Sequence, residues 1–274
     1  MRPAMPAPVV FVLALLLLVA PTATRGDDGE IEPDRPDLTN SARPVGRGVI
    51  QFEGGLEYAR TSRAASPAER RLAVQAALRF GLTDSLEGRL EGEPLVRLRG
   101  AEEDTGVGDL TVGLKYRVFE PTTGSAWPTL GLLPFVKLPT AQSPIGSAEL
   151  DGGLIGLASF ALPRDFDLDL NAGVAALGQK HPAGLLLQAL ISASLSHSLT
   201  HSLTHSLTKR LRGFAELFFQ TRAERQGDDQ AGWRAGLVYL ITPSLALDAS
   251  VLTSVLGRAP DYAVGAGVSV RFGR

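Results

Sequence analysis

Three of the chain's four histidines, His197, His201 and His205, recur at every fourth residue in HSLTHSLTHSLTKRL. On a helix that interval puts imidazoles on one face, which is how His-x-x-x-His grips zinc. On a strand it also keeps one face, because side chains alternate with a period of two. A weak zinc or copper site at His197, His201 and His205 is therefore one reading. The other is a stutter. Without two HSLT copies the chain reads SASLSHSLTKRLRGFAEL, and the eight surplus residues preserve strand parity. The repeat holds no Asp, Glu or Cys to complete a ligand set, which favours a tandem duplication that lengthens a turn. His181, in GQKHPA, has no serine nearby in sequence for Ser–His hydrolysis.

The elements that would hold these residues are set by the whole chain. The apolar run Val9 to Ala20 follows Arg2 and precedes the small-residue stretch PTATRG, so residues 1–26 read as a signal peptide. No later segment is apolar for the roughly 20 residues that a transmembrane helix needs. Cysteine is absent, and a formal charge of -2 leaves no basic surface for nucleic acid. No cofactor is implied.

The dominant pattern is alternation. In GDLTVGLKYRV, Leu110, Val112, Leu114, Tyr116 and Val118 oppose Asp109, Thr111, Lys115 and Arg117. In SLEGRLEGEPLVR, Leu86, Leu90 and Val96 oppose Glu87, Arg89, Glu91, Glu93 and Arg97. About twelve such segments recur, each roughly 10–12 residues long, enough to cross a bilayer at a tilt. A soluble sandwich shares the alternation, but its strands are usually about 5–6 residues long. The regular strands here keep ionised groups off one face and gather them on the other. The predicted fold is all-β, a transmembrane antiparallel barrel over residues 48–274 with a polar interior.

An internal repeat marks its turns. GLTDSLEG, SLTKRLRG and LITPSLAL share the form apolar-Thr-x-x-Leu, and ALPRDFDL fits with Pro163 in place of Thr. Longer, polar connections lie between these boxes, among them ARTSRAASPAER and GQKHPA. Short turns on one side and longer loops on the other place both termini in the periplasm. Pro134 removes a ladder donor from its strand, which predicts a local bulge there.

This register sends Glu53, Glu57, Glu87, Glu91, Glu93, Asp167, Asp169, Glu216 and Asp248 into the lumen, together with Arg71, Arg79, Arg89, Arg97, Lys115, Arg117, Lys137, Arg212, Arg234 and Arg271. Acids and bases nearly balance, which implies salt-bridged walls and a narrow route rather than a ring of one sign. Residues 27–47 are acidic and proline-rich without apolar periodicity, so alone they would be disordered. Their Asp34, Arg35 and Asp37 could pair with inward charges as a lumen plug; the alternative is a loose periplasmic tail.

DRPDLTNS, GVIQFEGGLEY, VGDLTVGLKYRV, PFVKLPT, SAELDGGLIG, TPSLALDASV and VGAGVSVRF occur in that order along the chain. In these stretches it resembles the outer-membrane transporter family named for the meta-pathway of phenol degradation; the HSLT expansion departs from that family's pattern. The resemblance implies a barrel in the outer membrane of a Gram-negative bacterium, passing small hydrophobic or aromatic compounds. Its partners would be outer-membrane lipids, a small-molecule permeant, periplasmic chaperones and the barrel-assembly machinery. The rival functions are an outer-membrane lipid hydrolase and a structural barrel. The reading here is a channel and not an enzyme.

Overall fold

The computed structural model describes residues 29–63, 66–101, 103–122, 125–199, 210–257 and 260–273. The expected signal peptide, along with His201 and His205, lies outside them.

The strands are β1 (Ile50–Arg63), β2 (Ser66–Gly81), β3 (Leu86–Arg99), β4 (Asp104–Gly106), β5 (Leu110–Phe119), β6 (Thr129–Leu138) and β7 (Asp151–Leu162). They continue as β8 (Phe166–Lys180), β9 (Ala183–Ser198), β10 (Leu211–Gln220), β11 (Gln230–Thr242), β12 (Leu245–Leu256) and β13 (Tyr262–Phe272). The sheet runs β2-β1-β13-β12-β11-β10-β9-β8-β7-β6-β5-β3-β4, and a further β2–β3 pairing closes it. Three-residue β4 pairs only with the end of β3, so the closed ring has twelve strands, all antiparallel to their neighbours. Closure matters because an open edge in hydrocarbon would leave backbone donors and acceptors without partners.

The outer wall is aliphatic. Leu56, Leu78, Val112, Leu130, Leu170, Ile191, Leu217, Leu247 and Val264 are all exposed, as a lipid-facing band requires. Tyr58 and Tyr262 lie near one rim of that band, with ring centroids 6.4 Å apart. Tyr116, Phe119 and Tyr239 mark the other rim. Amphipathic rings suit the boundary between lipid tail and headgroup. The rim with Tyr116 is the end where the chain enters β1 and leaves β13; it is called the near end below, and its opposite the far end.

The turn boxes fall where the repeat places them, between β2 and β3, β7 and β8, and β11 and β12. Three expectations need correction. ARTSRAASPAER and GQKHPA are mostly strand, because β1 runs to Arg63, β2 starts at Ser66, β8 runs to Lys180 and β9 starts at Ala183. His197 lies near the end of β9, not in a turn, with its ring stacked on Phe166 at a centroid distance of 4.0 Å.

The bulge also belongs to a different proline. Around Pro134 the β5–β6 ladder lapses between Gly113–Phe135 and Tyr116–Leu132, then resumes in the same register. The shift occurs in β3, where Glu93 and Pro94 together face Gln75 between the pairs Val74–Leu95 and Ala76–Gly92. Pro94 can donate no ladder bond, and the extra residue reverses the alternation beyond it. Against the expected faces, Val96 and Leu98 therefore turn inward and are buried, while Arg97, assigned to the lumen by alternation, points outward.

Inside, phenylalanine rings lie over glycines on the adjacent strand. Phe214 is directly opposite Gly236 and Phe218 opposite Gly232, and a Cβ on either glycine would collide with the ring. An aromatic ring covers the backbone that a glycine leaves bare. Gly236→Leu should therefore destabilise the barrel by about 1–3 kcal/mol through overpacking. A lower urea midpoint, read from the heat-modifiable gel shift in detergent, would report it; an unchanged midpoint would contradict this packing.

Candidate functional site in the barrel lumen

Residues 29–49 lie inside the barrel and touch it on nearly every side. Ile31 N donates to Pro243 O at the near end (2.8 Å), and Gly48 N donates to Gly81 O (2.9 Å) where the chain returns to the wall. Between these points the segment has no strand partner, so its backbone groups need side chains to satisfy them. The wall supplies those side chains. Asp34 N and Arg35 N donate to Glu53 (3.2 and 2.9 Å), and Leu38 N donates to Glu216 (3.0 Å). Asn40 and Asn171 exchange two bonds, at 2.7 and 2.8 Å. Ala42 N donates to Ser159 (2.8 Å) and Val45 N to Glu87 (2.7 Å).

Asp34 is the electrostatic centre. One of its oxygens lies 2.6 Å from Arg89, 2.7 Å from Lys115 and 3.4 Å from Arg79. Arg79 also forms a two-pronged pair with Glu87, at 2.8 and 2.9 Å, and reaches Glu53 at 2.9 Å. Arg79, Glu87, Lys115 and Glu53 are each nearly inaccessible to solvent. Burial would raise the Asp34 carboxyl, but the cations of Arg79, Lys115 and Arg89 outweigh it and hold Asp34 below the ordinary carboxylate range. Asp37 shows the opposite balance. Burial, with Glu216 adding to it, pushes its carboxyl well up, and Ser194 donates to it at 2.7 Å.

Arg35 occupies a notch built from missing side chains. Gly55 and Gly267 face each other across β1 and β13, and a Cβ on either would strike the Arg35 guanidinium. From there Arg35 bonds Gln75 and lies 3.4 Å from Asp248. Arg234 donates to Pro36 O at 2.5 Å and pairs with Glu57 at 3.2 Å.

The remaining residues assigned to the lumen are spread along it. Glu91 pairs with Arg89, and Arg71 with Glu93. Arg117 stands at the near rim with Glu120 (3.0 Å), and Arg271 donates to Gly29 O. Asp167 lies 3.8 Å from Arg43, and Asp169 accepts from Ser159. Arg212 lines a cavity of about 370 Å³ beneath the segment, with Glu30, Asp37 and Asp167. Lys137 sits at the far end, 2.6 Å from Asp151 and 3.2 Å from Asp109.

Sequence reasoning missed Asp151, Gln51, Gln75, Asn171, Ser159 and Ser194. Most are neutral, so alternation of charge did not mark them. Towards the far end, apolar inward positions stand among the charged ones. Ala59, Leu252 and Ala263 pack with Phe218, while Ala73, Val96 and Leu98 pack with Ile145 from the β6–β7 connection.

His197 does not join this network; its Nδ1 lies 3.1 Å from Asp165 O at the near rim. Among the described residues no group of three His, Cys, Asp or Glu is arranged to hold a metal. His181 is exposed in the tight connection between β8 and β9.

The family model described as "Putative MetA-pathway of phenol degradation" matches residues 33–272. No curated protein matches the chain. Among solved structures, an outer-membrane channel from Pseudomonas putida F1 superimposes with a TM-score of 0.65 at 13% identity, covering 89% of this chain and 100% of that one. The β domain of a Bordetella autotransporter superimposes with a TM-score of 0.50 at 11% identity, covering 81% of this chain and 98% of that one. At these identities the likeness is one of fold.

Proposed function

The chain belongs to this phenol-degradation family, and on that premise we propose that it is an outer-membrane channel for small hydrophobic or aromatic compounds, gated by its own residues 29–49. The observation that carries the reading is a lipid-facing ring of twelve strands whose lumen is crossed by one tethered segment. The apolar inward patches towards the far end give a non-polar solute a surface to wet beside the paired charges. A route lined this way selects by size and polarity rather than by the sign of an ion.

The N-terminal segment acts as the plug, with Asp34, Arg35 and Asp37 engaging the wall. The inward charges act as its seat, and they cost least when paired. The chain works in the outer membrane of a Gram-negative bacterium, surrounded by its lipids and without catalysing a reaction. Periplasmic chaperones and the barrel-assembly machinery deliver it there.

Liposome swelling tests the permeant class. Proteoliposomes should swell faster in benzoate-like acids than in sugars of similar size. Equal rates, or rates no higher than those of protein-free liposomes, would defeat the proposal.

A further inference from the structure

Four arginines outside the lumen are left without side-chain partners among the described residues. Arg60, Arg70 and Arg99 are directly opposite one another on β1, β2 and β3, and Arg97 is opposite Leu72 one step closer to mid-membrane. All four share the outward face: Ala59, Ala73, Val96 and Leu98 alternate with them and are buried inside. The bulge at Glu93 and Pro94 is what turns Arg97 and Arg99 outward.

None of the four arginines forms an ion pair or a side-chain hydrogen bond among the described residues, and Arg60 Nε is buried without a partner. Two acids near the row accept from backbone instead. Asp261 accepts from Ser62 N (2.9 Å), and Asp104 accepts from Thr105 N (2.7 Å). Like charges on directly opposed strand positions repel, so such a row is costly unless an anion bridges it.

The surroundings indicate which anion. Leu56 and Leu72 extend the aliphatic band up to the row, and Tyr262, opposite Arg60, packs against Tyr58 at the same rim. The guanidiniums therefore sit at headgroup depth, with hydrocarbon-facing side chains immediately below. Adjacent strands about 4.8 Å apart space the forks for phosphate, which Arg binds with two prongs. We propose that Arg60, Arg70, Arg97 and Arg99 form a binding site for the phosphorylated headgroup of an outer-leaflet glycolipid. This rests on the barrel lying in the outer membrane with both termini on the periplasmic side, but not on its transporting anything.

The test uses the full mature chain in detergent, with native mass spectrometry and bisphosphorylated lipid A as the probe. Wild-type protein should retain the lipid, and Arg70→Gln with Arg99→Gln should weaken retention by about tenfold or more. Equal retention by the variant would overturn the proposal. Competition by phosphatidylglycerol at equal concentration would show a general preference for anionic lipid, and competition by inorganic phosphate a free-phosphate site; either refutes the glycolipid. Heat-modifiable migration checks that the variant is folded, and Arg60→Gln with Arg97→Gln replaces it if it is not. Single-channel conductance should be unchanged, so failure here is separable from failure of the channel reading.

Discussion

Deleting residues 27–45 is expected to raise single-channel conductance in planar bilayers by about threefold or more, because it removes the segment crossing a lumen that twelve strands make wider than an eight-stranded one. The wall should survive the deletion. Arg79 keeps Glu87 and Glu53, Arg234 keeps Glu57, and Lys137 keeps Asp151, so few inward charges lose every partner. The exceptions are Lys115, Asp248 and Asp167, whose ion pairs are with Asp34, Arg35 and Arg43, and Glu216, which accepts from Leu38 and Thr39. The gain should therefore come as steady conductance from a folded barrel, not as leakage from a damaged one. Unchanged conductance in protein with a normal heat-modifiable shift would mean that residues 29–49 do not close the route.

Much of the wall is legible in the residues alone, because a period of two is imposed by the backbone itself. In β5 the faces fall as alternation requires: Val112 and Leu114 are exposed, and Lys115 between its apolar neighbours is buried. Alternation fails where the backbone breaks its own period. Two prolines look alike in sequence, yet Pro134 leaves the register intact and Pro94 shifts it, reversing Val96 and Arg97. The difference lies in whether the opposing strand yields a residue, and no local pattern records that.

The lumen network is less legible for a related reason. Inward parity says that Arg79, Arg89 and Lys115 share an interior, but not that one carboxylate from the segment before β1 lies among all three. Composition alone would leave residues 27–47 disordered. Acceptors on the wall at Glu53, Glu216, Asn171 and Ser159 change that outcome, since they satisfy the segment's backbone where water would otherwise do so.

Asp34→Asn should loosen the plug without removing it. The substitution keeps the size of the side chain and cancels a charge that lies within 3.4 Å of Arg79, Arg89 and Lys115 together. Breaking a buried ion pair from one side typically costs about 3–5 kcal/mol, because the partner stays buried and uncompensated. Part of that cost is recovered here, since Glu53, Glu87 and Glu91 still hold the two arginines. The variant should therefore show frequent openings on a closed baseline, with a reversal potential shifted towards anions by the excess positive charge. Asp37→Asn is the informative comparison. Burial and Glu216 already bias that carboxyl towards its protonated form, so replacing it removes less charge and should alter gating less. Equal effects of the two substitutions, or an Asp34→Asn channel that opens no more often than wild type, would show that the cluster around Asp34 does not hold the segment in place.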